Sequence, residues 1–168
     1  DPASALQYGA TEGHGPLREA IASHERAKGV AGMAAEDLII TTGDNNYPLG
    51  EAATIDQNIG QYFHEFIAPY HGSYGPGGET NRFFPSVGNH DYYSEGGQPY
   101  FDYFTLPGNE RYYDFVAGPV HFFALNGDYN EPDGIGASSA QADWLEAGLA
   151  ASSSPWKIVY THPAPYSS

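Results

Sequence analysis

A chain of 168 residues with 40% hydrophobic residues, 14 tyrosines and 9 phenylalanines is long enough for one domain with a real core and too short for two of ordinary size. Its formal charge of −15, from 21 acidic and 6 basic residues, argues against nucleic-acid or anionic-membrane binding through a basic patch; a phosphate ester would need positive charge from bound metal ions instead. The absence of cysteine excludes disulfides, thiolate zinc sites and a cysteine nucleophile.

No apolar run approaches membrane-spanning length, and "DPASALQYG" lacks the regions of a signal peptide; beginning at Asp1 without a Met suggests a fragment or a processed chain. The first predicted element is a helix in "GPLREAIASHERAKGV". Pro16 suits its first turn, Leu17 and Ile21 make a stripe with Ala20 and His24, and Gly29 can terminate it. "DLIITTG", Asp37 to Gly43, is a short apolar run that fits a strand buried on both faces. A second helix follows in "EAATIDQNIGQYFHEFIAPY", with Ile55, Ile59, Tyr62 or Phe63, and Phe66 at helical spacing until Pro69. The glycine-rich "HGSYGPGGETN" is loop, and "FFPSVGNHD" is a strand ending in a polar turn. "YYDFVAG" and "VHFFALNGD" read as a hairpin joined at Gly118–Pro119. A third helix spans "SSAQADWLEAGLAAS", capped by Ser138 or Ser139 with Trp144, Leu145 and Leu149 inward. "PWKIVYTHPAPYSS" supplies a last strand, Trp156 to Thr161, closing on His162.

Three of these strands end at "GD", "GNHD" and "TH". In open α/β sheets ligands bind beyond the carboxyl ends of strands, so Asp44, Asn89, His90 and His162 are expected to face a shared crevice. Asp44, Asn89 and His162 offer a carboxylate, an amide oxygen and an imidazole nitrogen, donors suited to hard and borderline divalent metals. A carboxylate can bridge two cations. His90, one residue from Asn89, would point elsewhere and remain free to act as an acid near a leaving oxygen.

"GDNNY" (Gly43–Tyr47), "GNHD" (Gly88–Asp91) and "YTHPAPYSS" (Tyr160–Ser168) resemble three signature blocks of the calcineurin-like metallophosphoesterases, in the family's order. Tyr47 and the "SxxQxxWLxxxL" stretch from Ser138 to Leu149 resemble the purple acid phosphatase branch most. Over residues 37–168 the resemblance implies a partial metallophosphoesterase domain of α/β class, a truncated α/β/β/α sandwich with mixed sheets. It implies two divalent or trivalent ions (Fe, Zn or Mn) and hydrolysis of a phosphate monoester or diester by metal-bound hydroxide. Asp44 would bridge the ions, Tyr47 would ligate the first, and Asn89 and His162 the second. His90 would be the acid or transition-state stabiliser, with Asp91 as its orienting partner. The family resemblance also favours an extracytoplasmic or secreted setting.

Two blocks of the pattern are missing. The aspartate motif expected before "GD" has only "QYG", with Gln7 in the aspartate's place, and no "GHxH" block occurs before the sequence closes at Ser168. Both normally supply the first metal, which would keep only Asp44 and Tyr47, too few for a tight site, so the resemblance leaves open whether the chain is active alone. The first part resembles something else. "LQYGATEGHGPLREAIASHERAKGV" leading to "ITTG" is similar to the N-terminal part of fold-type I pyridoxal-phosphate aminotransferases, making residues 1–36 a separate helical segment and the chain chimeric. Pyridoxal phosphate is not expected as a cofactor, because "DNNY" replaces the phosphate loop and neither Lys28 nor Lys157 sits in a Schiff-base context. Tyr8, which that resemblance would set against a cofactor phosphate, has nothing to bind. The alternatives are a non-catalytic metal-binding remnant and an aminotransferase-derived fragment serving as a dimerisation arm.

His14, His24, His64, His71 and His121 lack partners at ligand spacing and read as surface or packing residues. The aromatic run Tyr92, Tyr93, Tyr100, Phe101, Tyr103 and Phe104 reads as packing over the site, with a substrate-lining role open for Tyr92 or Tyr93.

Overall fold

Strand β1 (Ile39–Thr42) lies parallel to β2 (Phe83–Ser86), with Ile39 opposite Phe83 and Thr42 opposite Ser86. Strands β3 (Tyr113–Ala117) and β4 (Val120–Ala124) form the expected antiparallel hairpin, and β5 (Trp156–Tyr160) joins β4 in parallel. The second sheet therefore has the order β3-β4-β5 and is mixed. These elements belong to a computed structural model that describes residues 38–164. The helix expected after Pro16, the positions Gln7, Tyr8, His14, His24 and Lys28, the boundary between residues 36 and 37, and Tyr166 to Ser168 lie outside the described residues. Helices and two sheets make the α/β architecture that the sequence leads one to expect.

The sheets meet through aromatic side chains. Phe84 of β2 stacks on Phe115 of β3 with ring centroids 3.8 Å apart, and fully buried Phe83 stacks on Phe104 at 5.4 Å. Complete burial of a phenylalanine contributes roughly 1.5–3 kcal/mol, so this seam is a main source of cohesion. Tyrosine hydroxyls also bond to the backbone of β2. Tyr100 and Tyr113 both donate to the Pro85 carbonyl, at 2.9 and 2.6 Å, and Tyr160 donates to that of Phe84 at 3.2 Å. Burial pushes the pKa of all three tyrosines well above the ordinary value, so they remain donors at any working pH.

Helix α1 spans 52–66, but not as one regular α-helix. Ala52–Ile55 is α-helical, Asp56–Gly60 forms a π turn, Gln61–Phe63 resumes the α form and His64–Phe66 tightens to a 3-10 turn. Ile55 and Ile59 reach the core, and of the two candidates after them Phe63 packs inward while Tyr62 is exposed. Helix α2 (Asn89–Tyr92) begins directly after β2, and α3 (Gln98–Tyr103) follows a short 3-10 turn at Glu95–Gly97. Helix α4 (Ala140–Ala151) crosses from β4 to β5; its cap is Ser139, whose Oγ accepts from Ala142 N at 3.1 Å. Trp144, Leu145 and Leu149 are half-buried, with Trp144 against Tyr112 and Phe123.

One expectation about β1 needs correcting. It is half-buried with Thr42 exposed, rather than covered on both faces, because among the described residues it pairs with β2 alone.

Candidate metal centre

The carboxyl ends of β1, β2 and β5 meet, and two glycines set how closely. A side chain at Gly43 would have its Cβ 2.5 Å from His162 Cβ, and one at Gly88 would sit 2.2 Å from the Asp44 nitrogen. Both positions must lack a Cβ for the three loops to touch. Asp44 itself has a left-handed backbone (φ 53°), a conformation that aspartate tolerates better than most residues and that turns its carboxylate back toward the crevice.

His162 reaches across from β5. Its Nδ1 lies 2.8 Å from the Thr42 carbonyl, which can only accept, so that nitrogen carries a proton. Nε2 then faces Asn89 Oδ1 at 3.1 Å and Asp44 Oδ1 at 3.3 Å. The Asn89 oxygen is oriented by the other end of its amide, where Nδ2 donates to Tyr93 Oη at 2.9 Å. An amide oxygen, a carboxylate oxygen and, in neutral histidine, an imidazole lone pair thus converge with no proton among them. A cation among the three would satisfy all of these donor atoms at once. The donor set of two oxygens and one nitrogen fits a divalent metal. Among the described residues no three His, Asp or Glu side chains gather in this way, because the third donor is an amide.

The other carboxylate oxygen looks elsewhere. Asp44 Oδ2 accepts from the Tyr47 hydroxyl at 2.7 Å. That hydrogen bond, with Asp44's charge, raises the Tyr47 pKa, so the phenol keeps its proton near neutrality and ligation would require giving up this bond. Among the expected ligands, the structure therefore brings Asp44, Asn89 and His162 into one cluster and joins Tyr47 to it through the carboxylate. For a second ion the described residues supply Asp44 Oδ2 and Tyr47 alone.

His90 stands over this group. Its backbone N–H donates to Asp44 Oδ1 at 3.0 Å, and its ring lies between those of Tyr47 and Tyr93, with centroids 4.4 and 4.8 Å away. Its Nδ1 donates to the Pro48 carbonyl at 2.6 Å, and Nε2 has no hydrogen-bond partner among the described residues. Asp91 was expected to orient this ring, but the structure gives the two side chains no contact. The Asp91 carboxylate is wholly buried and accepts from Gly88 N (2.9 Å), Asn46 N (3.0 Å), Asn45 N (3.2 Å) and Asn45 Nδ2 (3.0 Å). Burial raises its pKa, while these four donors pull the other way. Asp91 is the pin that fastens the Asn45–Asn46 turn to the start of α2, and its neighbour in sequence is oriented by a carbonyl instead.

Residues the sequence reading passed over complete the frame. Asn58, in the π turn of α1, donates to Asn46 Oδ1 at 2.8 Å and to the Tyr47 carbonyl at 2.7 Å. Asn126, buried behind the site, donates to Tyr92 Oη and Glu131 Oε2, both at 2.7 Å. That places Tyr92 in the packing under the crevice, while Tyr93 is exposed beside Asn89. His121, read as a packing residue, joins Asp114 (2.7 Å) to Ser152 (2.9 Å) on the far side of the second sheet. His64 is held by the Pro76 carbonyl at 2.8 Å, and Lys157 donates to that of Ser154 at 3.0 Å.

No curated protein matches this chain. The model of the calcineurin-like phosphoesterases does, over residues 13–168, a range that takes in most of the segment with aminotransferase likeness. With that match across most of its length, and a polar crevice where three strands end, the chain belongs to the calcineurin-like phosphoesterase family, hydrolases that use divalent metal ions.

Proposed function

We propose that this protein hydrolyses phosphate esters in the crevice at the ends of β1, β2 and β5. The observation that carries the reading is the meeting of His162 Nε2 with Asn89 Oδ1 at 3.1 Å and Asp44 Oδ1 at 3.3 Å. These three side chains would hold one divalent ion, and Asp44 Oδ2 with Tyr47 would contribute to a second. The ions, when bound, polarise a phosphoryl oxygen and bring the pKa of a bound water down to about 7.

The chain's own residues do the rest. Thr42 and Tyr93 hold His162 and Asn89 with their donor atoms facing inward, so the site is oriented before a ligand arrives. Pro48 fixes the proton of His90 on Nδ1, and a protonated Nε2 then has an N–H to give to the oxygen of the departing alcohol. A chromogenic phosphate ester tests this: turnover should depend on manganese, zinc or iron and fall by roughly 10²–10⁴ in His90→Ala, the range for removing a general acid. Unchanged turnover in that variant sinks the role of His90. Calorimetric metal binding should weaken in His162→Ala.

The likeness to purple acid phosphatases rests on the Tyr47–Asp44 pair and on Gln141 and Trp144 of α4. If Tyr47 ligates ferric iron, its phenolate should produce a visible absorption band that Tyr47→Phe abolishes. A second reading, metal binding without catalysis, draws on the short ligand supply for the second ion; stoichiometric binding with no turnover at any metal would favour it. We also hold to a separate origin for residues 1–36, which long-read sequencing of the source locus tests: a contiguous gene with both parts excludes an assembly artefact. Pyridoxal phosphate has no place in this proposal, and an absorbance band from bound cofactor would overturn that exclusion.

A further inference from the structure

Beside His162 the crevice opens into a cavity of about 230 Å³, with Asn89 and His162 on one wall and Gly127, Asp128 and Tyr129 on the other. The second wall is firmly based. Gln141 grips Asn126 from both sides, its Oε1 accepting from Asn126 N at 2.8 Å and its Nε2 donating to Asn126 O at 3.0 Å. Asn126 Oδ1 in turn accepts from Asp128 N at 3.0 Å, and Gly127 packs so closely on Pro163 that a Cβ there would lie 2.6 Å from its ring. On this rigid base stands a bare aromatic. Tyr129 is 94% exposed, and neither its ring nor its hydroxyl has a partner among the described residues. An isolated exposed tyrosine is ordinary by itself. This one stands at the wall of a cavity whose other wall carries the proposed metal ligands.

Charge and size narrow what the cavity takes. No basic side chain lines it, and the Asp128 carboxylate, held by Asn130 N at 2.8 Å and Nδ2 at 2.7 Å, adds a negative charge. The phosphoryl end of an ester therefore belongs on the metal side, and an anionic leaving group is repelled from the other. The volume is below the roughly 300–1,000 Å³ of drug-sized ligand pockets and matches a single ring. We propose that Gly127–Tyr129 is the leaving-group subsite, that Tyr129 stacks on the leaving group, and that the preferred substrates are phosphate monoesters of a single uncharged aromatic ring. This rests on the phosphoester reading above, and its test separates the two.

The experiment compares equilibrium binding of phenylphosphonate and methylphosphonate to the chain in the presence of manganese, which requires no turnover. The native protein should prefer the phenyl compound by roughly two- to tenfold, the range for an aromatic pair. The ratio should fall toward one in Tyr129→Ala and survive in Tyr129→Phe, and a residue this exposed can be changed without unfolding the chain. A ratio that stays the same in Tyr129→Ala, or no binding of either phosphonate, overturns the subsite. Phenyl phosphate turnover is measured in parallel. Absent turnover with an intact Tyr129-dependent ratio overturns hydrolysis and supports the subsite.

Discussion

Tyr93 illustrates how one hydroxyl can control a site it does not enter. Asn89 can present either end of its amide to His162, and with Nδ2 donating to the Tyr93 hydroxyl it is the oxygen that faces the imidazole. In Tyr93→Phe that anchor is gone, and the amide can turn its NH₂ toward the His162 lone pair, which satisfies the histidine and withdraws the proposed ligand. We expect metal affinity to fall about tenfold, the low end for loss of an orienting partner. Calorimetry with manganese reads this, while an unchanged urea midpoint shows that the 57%-exposed ring contributes little to folding. Asp91 teaches the converse. A carboxylate next to His90 in sequence invites pairing in space, yet Asn89 to Tyr92 is a helix, so successive side chains diverge. Its charge goes instead to four N–H groups of the neighbouring turns.

At the scale of elements, what could be read in advance follows from periodicity. The hairpin, the Ser139 cap and the strands before "GD", "GNHD" and "TH" each have a local signature, and each is present. The π turn in α1 has none, because it arises from contacts far away in sequence. Within it, Asp56 accepts from Tyr70 (2.7 Å) and Tyr103 (2.8 Å) at Oδ1 and from Ser73 N and Oγ (both 2.9 Å) at Oδ2. One carboxylate thus ties α1 to α3 and to the glycine-rich loop. Partial burial opposes its ionisation, but the hydrogen bonds from Tyr70, Ser73 and Tyr103 prevail and hold its pKa below the ordinary aspartate value. For a depressed carboxylate, the unfolded chain takes up the proton first as pH falls. Its stabilising effect is therefore complete above the unfolded pKa of about 3.9 and is lost as pH drops through the lower folded value. Urea midpoints measured downward from pH 5 should decline, and Asp56→Asn should start lower and decline less. Equal slopes for the two proteins would remove Asp56 from the account.

For the molecule as a whole, composition already sets the electrostatic problem that the proposed site has to meet. A formal charge of −15 leaves few cations to meet a phosphate. Of the described ones, Arg111 is engaged by Glu131 and Asp133, Lys157 by the Ser154 carbonyl, and Arg82 lies over the Phe66 ring. What composition could not reveal was the tyrosine seam between the sheets, since it depends on which side chains the assembled strands bring to the β2 carbonyls. The shortage of cations has a consequence for kinetics. On the proposed function an anionic ester approaches against the net charge of the whole protein, and metal ions held in the crevice would supply its attraction. Salt screens the long-range repulsion over a Debye length of about 30 Å at 0.01 M and about 10 Å at 0.1 M, but acts much less on contacts inside the crevice. KM for a phosphate ester should therefore fall as an inert salt is raised between these concentrations with kcat nearly constant, the opposite of the response of an enzyme with a basic patch. A KM that rises with salt would mean that a basic surface outside the described residues steers the substrate, and that the metal ions do not supply its attraction alone.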